Sequence, residues 1–140
     1  MWMREYVNTK AARTIEGPWS QGVRIGPFLY TSGQVPINPA SGRVDAEGAR
    51  EQARQSLLNI QRIVEGAGGH LSDLVKTSVY LIDYGDFAEV NAAYHEHFAG
   101  GPFPARTLVT VASLPAIGGQ QVRVIIEGFA VVVGDQSPVP

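Results

Sequence analysis

The chain has 140 residues, 44% hydrophobic and 17% charged, a balance that supports one folded domain with its own core and excludes intrinsic disorder. Eleven Lys and Arg against thirteen Asp and Glu leave a net charge of -2, which excludes the bulk cationic surface used in nonspecific nucleic-acid binding. The absence of Cys excludes a disulfide scaffold, a thiolate metal site and a cysteine nucleophile, and suits a cytoplasmic address.

Met1 to Asn8 carries no apolar run ahead of a small-residue cleavage site, so no targeting segment is expected there. The apolar stretches Leu108–Leu114 and Val122–Val133 are interrupted or short, well below the roughly 20 residues of a membrane helix. The expectation is one soluble domain over residues 1–140, with 134–140 a flexible, Pro-containing tail.

Val23 and Ile25, then Phe28 to Thr31, read as two short strands around a Gly26-Pro27 turn. Gly33 to Asp45 is loop, punctuated by Pro36, Asn38-Pro39 and Ser41-Gly42. Over Ala46 to about Ala67, the spacing of Ala49, Ala53, Leu57, Ile60 and Val64 predicts an amphipathic helix. Asp45 is its expected cap, and Gly66, Gly68 and Gly69 its stop. Leu74 to Leu81 reads as a strand with Val75, Thr77, Val79 and Leu81 on one face and Leu74, Lys76, Ser78 and Tyr80 on the other. Phe87, Val90, Tyr94 and Phe98 mark a second helix that stops at Gly100-Gly101-Pro102. Ala105–Leu114 and Val122–Val133 complete the order as strands, with Gly118-Gly119 turning between them. The fold class is therefore α+β, a sheet with two helices on one face. No third helix remains for the far face, which points to association between subunits.

The residues that could carry chemistry are few. His95 and His97 lie two apart on a helix and point in different directions, so His95-Glu96-His97 reads as a solvated face and no metal site is expected. Gly66 to Gly69 follows a helix and lacks the spacing of a phosphate loop. Tyr80, Tyr84 and Tyr94 read as packing residues. Arg106, after Pro102-Phe103-Pro104-Ala105, either forks onto a ligand carboxylate or pairs with an acid such as Glu127, which lies within an apolar run and needs a partner.

Five segments, in this order and spacing, resemble the RidA/YjgF/YER057c family. They are Thr31-Ser32-Gly33-Gln34-Val35-Pro36, Gln52 to Ile60, Val75 to Leu81, Phe87 to Tyr94, and Phe103-Pro104-Ala105-Arg106-Thr107. The resemblance implies a chorismate-mutase-like fold, a mixed sheet assembled as a homotrimer with clefts between subunits. It also implies hydrolytic deamination of small enamine and imine acids to a keto acid and ammonia, with no cofactor; the charge balance and the short apolar runs leave no nucleic acid and no membrane expected as partners. Arg106 matches the arginine that grips the substrate carboxylate, Ser32 and Gly33 the loop edge of the cleft, and Asn91 a helix asparagine near it. Trp19 stands where Tyr is usual, Leu108 replaces a cysteine, and Ile125 stands at the first of two strand acids; Glu127 matches the second. The catalytic pair implied is Arg106 and Glu127, with Trp19, Ser32, Gly33, Asn91, Leu108 and Ile125 around the substrate. Three apolar replacements imply weak deamination or a preference for a more apolar substrate. The alternatives are a noncatalytic small-carboxylate sensor and an enzyme of aromatic or specialised metabolism. The family's ribonuclease activity fits less well, because Arg50, Arg54 and Arg62 follow one helix without interleaved aromatics.

Overall fold

The computed structural model describes residues 2–13 and 16–133. The expected tail at 134–140 lies outside the described residues. One mixed sheet dominates, built from β1 (Arg4–Val7), β2 (Gly22–Ile25), β3 (Phe28–Thr31), β4 (Leu74–Leu81), β5 (Ala105–Thr110) and β8 (Val124–Val131). Its order is β1-β2-β3-β8-β4-β5, antiparallel throughout except for the parallel β4/β5 pair at one edge. Helices α1 (Ala49–Gly66) and α2 (Phe87–His97) cover one face, and a small hairpin of β6 (Ala116–Ile117) and β7 (Gln120–Gln121) precedes β8.

The alternation of β8 shows how sequence sets the layers. Val124, Ile126, Gly128 and Ala130 are buried toward the helices, while Ile125, Glu127, Phe129 and Val131 face the other way. A Cβ on Gly128 would meet Leu74 Cδ1 at 2.8 Å and Ile60 Cγ2 at 3.2 Å, so the missing side chain lets α1 approach the strand. The stripe on α1 fills that space: Ala53, Leu57, Ile60 and Val64 are almost fully buried. Three polar groups pass through the same interior, each bonded. Thr31 Oγ1 accepts from the Gly128 N–H, Ser56 donates to Gln34 O, and Asn59 donates to Ile37 O.

The uncovered face is apolar and aromatic. Phe28 stacks on Phe129 and Tyr30 tilts against it, 4.8 Å between centroids; Val23 and Tyr6 continue the surface across β2 and β1. Tyr6, Tyr30 and Val109 are exposed on it.

Three expectations are corrected and one strand is added. α1 starts at Ala49 rather than Ala46, with Gly48 as N-cap and no side-chain cap; the Asp45 carboxylate instead accepts from Asn38 and Ser41 and closes the preceding loop. In β4 a bulge between Leu74 and Lys76 puts Leu74 in the core and Val75 outside, the reverse of a regular alternation. The last two strands are shorter than expected, and Val122 belongs to a separate small core with Val35, Ile37 and Val44. β1 was not signalled by its exposed sequence. It pairs with β2, and the buried Gln21 amide holds the chain beyond it through Thr9 and Arg13.

Candidate active site

Arg106 sits on the edge strand β5, paired in register with buried Thr77, so its side chain rises on the helix-covered face. There it meets α2. Its guanidinium carbon stands 4.9 Å from the centroid of Tyr94 and 5.7 Å from that of Phe87, a cation held by ring faces. A cavity of about 280 Å³ opens beside it, lined by Asn91, Tyr94, His95, Phe103, Pro104 and Arg106.

Charge pairing leaves this cation free. Among the described residues, Arg50 and Arg54 bind Glu96, Arg62 binds Glu65, and Arg123 forks onto Asp86 at 2.8 and 2.9 Å. Glu127 is occupied on the opposite face, where its carboxylate accepts a 2.7 Å hydrogen bond from the Tyr80 hydroxyl. That bond is the main cause raising the Tyr80 pKa, with burial and the Glu127 charge adding to it. The open alternative for Arg106, a lock onto Glu127, is not what the fold builds.

Tyr94 is nearly buried, and its hydroxyl lies 2.8 Å from Thr77 Oγ1. Burial pushes its pKa up to about 12, against the opposing effects of the Thr77 hydrogen bond and the Arg106 charge. The phenol therefore stays protonated and serves as a wall.

The expected site residues fall into two groups. Arg106 and Asn91 line one cavity. Leu108, two residues along β5 on the same face, packs against the main core. Ser32, Gly33 and Ile125 gather elsewhere: a Cβ on Gly33 would meet Ile125 Cγ2 at 3.0 Å, and Ser32 is tied to Ser20 O and Gln21 O. Ile125 and Glu127 pair with Tyr80 and Ser78 on the uncovered face, away from Arg106. Trp19 is exposed, with its ring folded over Gly17. Within one chain the sheet separates the two groups.

Neither His95 nor Phe103 stands out as a site residue from the sequence alone. His95 lies edge-on to Phe103, 5.1 Å between centroids, and both line the Arg106 cavity. A signal was present in the four-residue step from Asn91 to His95, which puts the two on one face of α2. His97 diverges from His95 as expected and lines a second, more apolar cavity.

A family model described as endoribonuclease L-PSP matches residues 9–132. The 2-iminobutanoate/2-iminopropanoate deaminase of Escherichia coli (strain K12) is 46% identical over 131 residues, covering 92% of this chain and 98% of that protein. The solved structure of the YjgF gene product of E. coli matches with a TM-score of 0.83 at 45% identity, over 91% of this chain and 98% of that one. E. coli TdcF, solved with bound serine, matches with a TM-score of 0.83 at 37% identity, over 91% and 98% of the two chains.

Proposed function

Starting from the fact that this chain belongs to the RidA/YjgF family, matched through its endoribonuclease L-PSP model, we propose that it hydrolyses small 2-imino and enamino acids to the 2-keto acid and ammonia. The observation that carries this reading is the Arg106 guanidinium, free of any acid partner among the described residues and held by Tyr94 and Phe87 at the mouth of a cavity. A fixed planar fork of N–H donors fits a carboxylate through two parallel hydrogen bonds. It would hold the substrate by the end that does not react and leave the C=N carbon open to water.

A preference for larger, apolar substrates is part of the proposal. The Arg106 cavity shares Phe103 and Pro104 with a neighbouring cavity of about 560 Å³, whose walls include Leu71, Leu74, Val75 and Phe98. A carboxylate on Arg106 would allow an apolar side chain past Phe103 into that space. Ile125 in place of an acid adds to the same character.

Assembly as a homotrimer, with Ser32, Gly33, Ile125 and Trp19 of one subunit facing Arg106 and Asn91 of the next, is supported by the aromatic uncovered face and by the split of the site residues across the sheet. Glu127 would then reach the shared cleft only from that second group. A cytoplasmic address accords with the absence of Cys. Ribonuclease activity is disfavoured, since Arg50, Arg54 and Arg62 are engaged by Glu96 and Glu65.

The test is loss of freshly generated 2-iminopropionate with and without protein. Wild type should exceed buffer, and Arg106→Ala should fall about 10- to 100-fold, the loss of charge-assisted hydrogen bonds worth about 1.5–3 kcal/mol. No acceleration, with Arg106-dependent binding of keto acids by calorimetry, would favour a sensor instead; Ile125 is the feature that keeps that reading in view.

A further inference from the structure

Imine hydrolysis moves protons at every step, and the Arg106 cavity holds few groups able to move them. Within one chain no carboxylate among the described residues lines it, and Glu127 stands on the opposite face of the sheet. A guanidinium is a donor with no proton to exchange in this chemistry. Tyr94 keeps its proton up to about pH 12 and is committed to Thr77. Asn91 does not titrate. His95 is left, on the exposed side of α2 one turn after Asn91, with its ring edge set against Phe103. Imidazole exchanges protons near neutral pH and accepts and donates through two nitrogens.

We propose that His95 is the catalytic proton carrier of this site. The assignment rests on the deaminase reading and adds to it the group that does the acid–base work. Water adds its oxygen to the imine carbon while His95 takes one of its protons and passes it to the imine nitrogen, giving a carbinolamine. The remaining hydroxyl proton then follows the same route to nitrogen, the C–N bond breaks with its electron pair leaving on ammonia, and C=O forms. Two water protons and one water oxygen are consumed, and the imidazole is returned unchanged.

The groups that this chain sets around the ring are defined, and in the proposed trimer Glu127 of a neighbouring subunit is the acid to be counted with them. Arg106 faces the ring from β5, and Tyr94 is its neighbour on α2. The segment Gly101 to Pro104 brings no titratable group. Glu96, the adjacent acid, is turned to Arg50 and Arg54 on α1.

The test measures imine hydrolysis by the full chain from pH 5.5 to 8.5 in wild type, His95→Gln and His95→Phe. Both variants should lose about 10²- to 10⁴-fold in kcat, keep KM within about threefold, and lose the pH limb that wild type shows. The phenylalanine variant preserves an aromatic edge on Phe103, so it separates lost packing from lost proton transfer. Wild-type kcat, or an unchanged pH limb, in either folded variant overturns the assignment. If wild type itself fails to exceed buffer, the deaminase reading falls first, which is a different result.

Discussion

Arg106 and His97 show how one side chain's surroundings decide what it can do. Arg106→Lys should recover little of what Arg106→Ala loses, because an ammonium has no planar fork to match a carboxylate or to lie against two ring faces. The check is KM for 2-iminopropionate, expected to rise in both variants. His97 is partly buried, and its Nε2 lacks a hydrogen-bond partner among the described residues. Desolvation, with the Arg62 charge second, holds its pKa below the ordinary imidazole value. The unfolded chain therefore binds a proton first as pH falls, so this contribution to stability is present above about pH 6.5 and is lost on acidification below it. Thermal unfolding at pH 7.5 and 5.5 should show a smaller drop in Tm for His97→Phe than for wild type. Arg106 was legible in the sequence because a lone cation between prolines and an apolar strand needs an explanation. His95 was not, because an exposed helix histidine looks the same whether or not a cavity lies beside it.

Among the elements, α1 carries most of the fold. Leu57 is almost fully buried and Arg54 lies on the surface bound to Glu51 and Glu96. Leu57→Ala should cost about 2–5 kcal/mol and Arg54→Ala about 1 kcal/mol or less, read by urea unfolding. Gln52, fully buried, donates to Ala46 O and Gln121 O and accepts from the Arg123 N–H. It fastens the helix to the chain entering β8. Gln52→Leu would strand those groups and should cost about 1–3 kcal/mol, more than the same change at half-buried Gln120. Both helices and the central strands could be read from hydrophobic spacing, since burial on one face forces that pattern. The first turn of α1 and the bulge in β4 could not, because Asp45 had a loop to close and the extra residue at Val75 shifts the alternation without changing composition.

At the scale of the molecule, the aromatic face of the sheet is the dominant fact. Phe129→Glu would put a charge between Phe28 and Tyr30 and should leave the chain at its 15.0 kDa monomer mass in sedimentation, where wild type is expected at three times that value. Helix number and strand order implied that something must cover this face, while its identity depended on residues that meet only in the assembled fold. The register of β4 against its neighbours then has a genetic consequence. Arg106 and Ile125 point to opposite sides of one sheet, so a cleft that uses both draws them from separate polypeptides. Two dead alleles, one lacking the guanidinium and one with Gly33 enlarged to block the Ile125 rim, should therefore complement when co-expressed, because hybrid particles regain some wholly wild-type crevices.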